Sequence, residues 1–362
     1  MTIMNSRYNR RTVLKGAVVT GAAALVTPSI LGRASLANEP LVVRTLGGSY
    51  EDAVTKVVFT PFTQTTGIAI QPVPATTGKL LAMHQAGTAE IDVIDIGAME
   101  AMQFIGDGAL ASIDYGKWKD IDPGDLDAEA RGDYYVGHTY YSAVLAYNTK
   151  VFSSGDAPRS WADFWNAERF PGPRMLADLA SGFVDLEQAL LADGVAPADL
   201  YPIDIQRALG VMSKIRPHIR KFWDTGALSA QMLTDQEVVM GSIWNTRAQV
   251  AIDNGAPIAI EWNGGLLRMQ GWAVAKASKK QAEAQRFIEF ALAPERQAAL
   301  AALIPNGPTN KKAFEHISAE RAAILPSNPA FAAKQIHQNV EWWNTNRSIV
   351  AKEWSKWLLE NR

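Results

Sequence analysis

Past residue 38 the chain alternates short apolar runs with segments of helical period. Leu41-Val42-Val43-Arg44-Thr45-Leu46 reads as a strand, ended by Gly47-Gly48-Ser49. Val54, Val57, Val58 and Phe62 then recur at the spacing of one helical face. The unit is strand, glycine turn, helix. Free backbone N–H groups at the helix start point above the strand's carboxyl end. Ser49, with Asp52 three residues on, reads as a variant capping box. The Gly-x-x-x-x-Gly-Lys pattern of a phosphate loop is missing.

The alternation continues. Ile68-Ala69-Ile70 predicts a strand leading to Pro72 and Pro74, and 78–87 a helix. Residues 91–96 predict a strand closed by Gly97, with a helix starting at Ala98-Met99. Such alternation implies α/β architecture with a mostly parallel sheet, whose ligands sit beyond the carboxyl ends of the strands. Those ends place Ser49, Tyr50 and Met99 at a site. Residues 140–147 form an extended run suited to crossing between domains. A second α/β region follows, with helices over 183–192 and 203–216 and strands over 240–244, 257–261 and 272–275. The tail predicts helices over 280–303 and about 329–359. In it Trp343, Ile349, Val350, Trp354, Trp357 and Leu358 fall near helical spacing and read as core packing.

The first 37 residues have a different character. Arg7, Arg10, Arg11 and Lys15 precede a mildly apolar stretch over 16–30, and Ser35-Leu36-Ala37 offers a small-residue cleavage site before Asn38. That order marks a secretory leader, and Arg10-Arg11 with Leu14-Lys15 fits the twin-arginine pattern. A membrane anchor is the alternative, but 17–26 is rich in Ala and Gly and too weakly apolar to span. The expectation is therefore a periplasmic, soluble protein that has met the twin-arginine export machinery.

Composition narrows the chemistry. The chain has no cysteine, which removes disulfides, thiolate metal sites and a cysteine nucleophile. The leader holds Arg and Lys and no acid while the whole chain is at −2, so the remainder is acidic, which argues against nucleic acid as a partner. His84, His138, His218, His316 and His337 are scattered, with no metal-ligand spacing, and no Gly-x-Ser-x-Gly elbow occurs. Tyr134-Tyr135 and Tyr140-Tyr141 suggest ferric-ion binding only weakly, because neighbours on a strand face opposite ways. Asp92 and Asp95, three apart on a strand, do not form an acid/base pair. No cofactor, no metal and no enzymatic activity are expected.

Several stretches, in order, carry a resemblance. They are Leu46-Gly47-Gly48-Ser49-Tyr50; Ala143-Val144-Leu145-Ala146-Tyr147-Asn148; Trp161-Ala162-Asp163-Phe164-Trp165; Ile243-Trp244-Asn245-Thr246-Arg247; Glu261-Trp262-Asn263-Gly264-Gly265; Gly271-Trp272-Ala273-Val274; and Asn306-Gly307-Pro308-Thr309-Asn310. The set resembles the solute-binding proteins of ABC importers, specifically the spermidine/putrescine-binding group. The resemblance implies the two-lobed periplasmic-binding-protein fold, a ligand cleft between lobes that close by hinge motion, and membrane permease subunits as partners. It divides the chain into the leader (1–37), the first part of lobe one (38–142), lobe two (143–265), the return to lobe one (266–312) and C-terminal helices packing on lobe two (313–362).

Polyamine binders of this group stack aromatic rings on the ligand and hold its ammonium ends with carboxylates. By resemblance Trp244 is one such ring, or else a core tryptophan. The acidic position two residues before Trp272 is Gln270 here, and the aromatic position before that is Arg268. The acidic pair of the second lobe falls near Ser181 and Val184, with Asp178 close enough to substitute. Trp223 with Asp224 is expected along the cleft, and Trp262 and Asn263 at the hinge mouth. A buried diammonium ligand needs carboxylates, and several are missing. Arg268 and Arg247 offer planar forks suited to a carboxylate, unless Arg268 pairs with Glu261. The leading expectation is thus a small amine or zwitterion carrying an acidic group, such as an amino acid or opine. Alternatives are a plain polyamine held by Asp178, Glu261 and Trp244, a ferric-ion binder, and a secreted hydrolase.

Overall fold

A computed structural model describes residues 39–153 and 155–361. The expected leader and cleavage site lie outside these residues. Eleven strands form one mixed sheet: β1 (Leu41–Thr45), β2 (Ile70–Pro74), β3 (Val93–Gly97), β4 (Leu110–Ala111), β5 (Val136–Asn148), β6 (Arg174–Ala177), β7 (Ile219–Trp223), β8 (Met240–Trp244), β9 (Ile258–Ala275), β10 (Gly307–Pro308) and β11 (Ile336–His337). The path runs β2-β1-β3-β9-β5-β8-β6-β7, with β4 and β11 on β9 and β10 on β5. β1 is parallel to β2 and β3, and β6 to β7 and β8. β9 runs antiparallel to both β3 and β5.

Two parallel half-sheets are thus joined through a long antiparallel pair, β5 and β9. Their register shifts between Gly137 and Thr139 and again between Ala143 and Leu145. Such bulges bend and twist a ladder. The 257–261 and 272–275 runs expected as separate strands belong to one strand of 18 residues. Hydrophobic cores lie on either side of the bend. On the β1–β3 side, Leu41, Val43, Val93, Trp272 and Val274 bury against Val54, Val58, Phe62 and Phe287, while Ile94, Ile96 and Ala273 face Leu80 and Phe104. Alternate residues of β3 and β9 therefore serve opposite faces, as strand geometry requires. On the β6–β8 side, Val144, Leu176 and Ile243 bury against Leu186, Leu190, Met212 and Leu233.

The helical face predicted from Val54, Val57, Val58 and Phe62 is buried, in a run over 48–66 whose middle, Thr55–Phe59, is π-helical. Pro72 and Pro74 sit inside β2 rather than after a strand; β2 is the sheet's edge, where the missing N–H is tolerated. Pro294 divides the predicted 280–303 helix into Gln281–Ala291 and Pro294–Leu303. The last helix, Val340–Glu360, buries Trp343, Val350, Trp354 and Trp357 against the β6–β8 core, while Ile349 of the predicted stripe is exposed. The same helix also meets the helix Ala98–Gly106 of the β1–β3 side. Among the described residues no helix is long and apolar enough to cross a membrane.

Candidate ligand-binding site

The carboxyl ends of the parallel strands carry short turns into helices, and two groups of polar and aromatic side chains collect there. The first lies at the ends of β1 and β3. Gly47 and Gly48 both have positive φ, 76° and 62°, which lets the chain turn sharply from β1 into the helix Gly48–Val54. Gly47 is the N-cap, with no side-chain cap hydrogen bond, so the expected Ser49–Asp52 box does not form. The reason is local: the turn is tighter by two residues, and the first-turn acid Glu51 instead accepts from the Thr45 hydroxyl. Ser49 is exposed and Tyr50 partly buried.

Beneath Tyr50 lies Asp95, wholly buried on β3. Tyr50 Oη donates to Asp95 Oδ2 at 2.8 Å, and Gln270 Nε2 donates to Oδ1 at 2.8 Å. His138 Nε2 stands 3.1 Å from Tyr50 Oη and 3.4 Å from Asp95 Oδ1, with its ring stacked on Trp272 at 4.5 Å. The Arg44 guanidinium donates to the backbone oxygen of Asp95 and to that of Ala75. Burial, then the neighbouring Asp95, pushes the Tyr50 phenol well above its ordinary pKa. Asp92, by contrast, accepts from the Val42 N–H and the Ser278 hydroxyl, away from Asp95. The two acids are separate, as their spacing predicts.

The second group stands at the bend. Tyr141 on β5 is in register with Arg268 on β9, and Ala143 with Trp244 at the end of β8. The Arg268 guanidinium carbon is 5.8 Å from the Tyr141 ring centre and 5.4 Å from that of Trp244. Trp244 is backed by Phe183 at 4.6 Å and by Trp223 at 6.1 Å. Gly182, with φ at 101°, closes this wall; a Cβ there would stand 4.0 Å from Arg268 Nη1. Arg268 does not pair with Glu261, which meets Arg159 instead at 3.6 Å. Among the described residues no carboxylate lies within ion-pair reach of Arg268. Glu187, buried beneath Tyr201 and Trp343, feels its charge; burial raises that acid's pKa, and the two hydrogen bonds and Arg268 partly offset the rise.

Several other expected residues fall elsewhere. Trp223 has no exposed surface and donates Nε1 to the Ser242 carbonyl at 2.7 Å, so it packs behind Trp244 instead of lining a cleft. Trp262 stacks on Phe331 at 5.1 Å, and Asn263 donates to the Arg159 carbonyl at 3.0 Å. These two lie in the irregular stretch between Glu261 and Leu266, which braces the 159–165 and 331–335 segments rather than a hinge mouth. Asp178 caps the turn Leu179–Ser181 and accepts from Trp354 Nε1 at 3.3 Å; Ser181 donates to the Phe183 carbonyl. Met99 packs against the β6–β8 core. Arg247 is exposed and lines a separate groove of about 300 Å³ between the helices Gly226–Thr234 and Asn245–Asp253. The structure thus gathers Tyr50 with Gln270, and Trp244 with Arg268. Sequence reasoning missed Asp95, His138, Tyr141 and Phe183. Asp95 had one usable signal: a carboxylate inside an otherwise apolar buried strand needs donors. Among the described residues no group of three or more acids and histidines could hold a metal ion.

Comparison with known proteins shows the family. The bacterial extracellular solute-binding protein model matches residues 58–333, and the chain belongs to that family. It is 30% identical over 327 residues to a gamma-aminobutyric acid-binding protein of Pseudomonas aeruginosa, covering 88% of this chain and 91% of the relative. It is 27% identical over 250 residues to the spermidine/putrescine-binding periplasmic protein of Escherichia coli, covering 66% of this chain and 68% of the relative. Among solved structures, an ABC transporter substrate-binding protein from Bradyrhizobium japonicum superposes with a TM-score of 0.81 at 35% identity, covering 88% of this chain and 99% of that one. The two-lobed fold is that of periplasmic binding proteins, and the chain is the substrate-binding component of an ABC transporter, not an enzyme.

Proposed function

We propose that this protein captures a small amino acid with well-separated amino and carboxyl groups, of γ-aminobutyrate type, for uptake. The observation that carries the reading is Arg268, a cation beside the Tyr141 and Trp244 rings with no carboxylate within ion-pair distance among the described residues. A planar guanidinium beside two aromatic rings, which meet each other edge to face at 5.4 Å, presents its fork to a carboxylate bidentately. The polyamine alternative fares worse. Glu261 is engaged by Arg159, and Asp178 by its own turn and Trp354, so the acids it requires are occupied. The relative that matches over more of the chain is the γ-aminobutyrate-binding one. In this reading the protein works in the periplasm after twin-arginine export and delivers its ligand to permease subunits in the membrane. Titration calorimetry with γ-aminobutyrate and putrescine tests it. Heat from the amino acid and none from the diamine is expected; tight putrescine binding with no response to γ-aminobutyrate would sink it.

A further inference from the structure

The buried acid Asp95 has a role beyond holding the sheet end together. Every donor around it points inward. An ionised carboxylate can only accept hydrogen bonds. Gln270 is therefore held with its Nε2 toward Asp95 Oδ1 at 2.8 Å, which fixes which way its amide faces. The carbonyl Oε1 must face away, and it lies over Gly97: a Cβ on that glycine would be 3.4 Å from it. Gly97 is the last residue of β3 and caps the helix Ala98–Gly106. Tyr50 is set the same way. Its single proton goes to Asp95 Oδ2 at 2.8 Å, and the phenol oxygen faces His138 Nε2 at 3.1 Å.

The end of β3 thus carries an acceptor, Gln270 Oε1, where the helix N-termini alone would show donors. Both helices that begin here carry an acid in the first turn, Glu51 and Glu100, which offsets their positive ends. We infer that Asp95 is a positioning residue: by fixing Gln270 with its oxygen outward, it makes the first-lobe end of the site the seat of the ligand's ammonium group. Arg268, across the bend, then takes the carboxylate. This orientation rests on the zwitterionic reading above.

A double-mutant cycle tests it, with calorimetry on γ-aminobutyrate and putrescine and a thermal melt of each unliganded variant. Gln270→Leu removes the acceptor, and Asp95→Asn lets the Gln270 amide turn. Each is expected to weaken γ-aminobutyrate binding by about tenfold, the scale of one hydrogen bond to a charged group. The double variant is expected to lose no more than either single, since Asp95 acts through Gln270. Additive losses, or an Asp95→Asn protein binding like the wild type, would overturn the inference. A ligand-independent readout separates it from the ligand assignment. The Gln270 side-chain amide protons, followed by NMR without ligand, should shift and exchange faster in Asp95→Asn. If they do not change, the positioning role is wrong whatever binds. If they change but only putrescine binds, the zwitterion assignment alone has failed, and the same cycle with putrescine decides the ammonium seat.

Discussion

The two ends of the site solve opposite problems. At the end of β3, Asp95 is wholly buried, yet Tyr50 and Gln270 each donate to one of its oxygens and His138 stands beside both. At the bend, Arg268 has the Tyr141 and Trp244 rings beside it and, among the described residues, no carboxylate within ion-pair distance. A charge enclosed by donors is satisfied and rigid, and serves to hold other groups. A partly buried charge without a counter-ion in ion-pair reach is costly unless something arrives to meet it. The contrast separates scaffold from contact: Asp95 is buried among its donors, whereas Arg268 is only partly buried.

Removing the support of the bend should have the largest effect. Trp223 has no exposed surface and packs on Trp244 and Phe183. Trp223→Ala is expected to cost about 3–5 kcal/mol of folding stability, because the cavity cannot collapse around a ring of that size. Urea denaturation measures it. A loss under about 1 kcal/mol would put Trp223 in a deformable wall and undo its reading as core.

A second buried acid sharpens the contrast. Asp185 accepts the Ala177 N–H at 2.7 Å on one oxygen, while the Ser242 hydroxyl lowers its pKa without reaching hydrogen-bond geometry. Burial dominates and pushes Asp185 up to about 7, whereas its unfolded counterpart titrates near 4. The folded protein therefore holds this proton more tightly than the unfolded chain. Its contribution to stability is complete below about pH 4, is lost as pH rises toward 7, and stays lost above. Asp185→Asn should flatten the decline over that window, a difference of a few kcal/mol between its ends. Melting curves from pH 4.5 to 8 check it; an unchanged slope in the variant would mean that other groups carry the dependence.

Arg268 comes next. Arg268→Ala should weaken γ-aminobutyrate binding by about 10- to 100-fold, the scale of a hydrogen-bonded ion pair. Arg268→Lys keeps the charge but not the fork, and should recover only part of the loss. Wild-type affinity in the alanine variant would remove the one group that distinguishes the bend from an ordinary aromatic cluster.

Much of the architecture was legible before any coordinates. β1, β3 and the glycine turn at Gly47 follow from apolar runs ended by glycine, β8 from its apolar run alone, and the buried Trp343–Trp357 stripe from helical period. Trp244 and Arg268 came out of positional resemblance combined with charge bookkeeping. What stayed hidden depends on register. Tyr141 faces Arg268 in the stretch of β5 and β9 that lies between two bulges no local pattern announces, and Gln270 meets Gly97 through the pairing of β3 with β9. Asp95, His138 and Gln270 are 43 and 175 residues apart along the chain when counted from Asp95. Their shared face exists only once β3, β5 and β9 are aligned. Trp223 and Trp262 show the converse. Tryptophans near a cleft are indistinguishable by sequence from those behind its wall, since both satisfy the same apolar pattern.

The smallest effect is expected at the other arginine. Arg247 and Arg268 looked equivalent in sequence, each a guanidinium near Trp244. In the structure Arg247 sits in the first turn of the helix Asn245–Asp253, exposed, its side chain against Gly226 and along a groove that also holds Gln231, Asp235 and Asn254. A solvated arginine there is screened, and its removal from a surface should shift γ-aminobutyrate affinity less than about threefold. Comparing Arg247→Ala with Arg268→Ala at one ionic strength and again at tenfold higher salt makes the test internal. If Arg268 meets the ligand directly, its loss persists in high salt, whereas any effect of Arg247 fades. Equal losses for the two variants would mean that the site reads net positive potential and not a fork set beside two rings, and the distinction between contact and scaffold at the bend would have to be redrawn around both arginines.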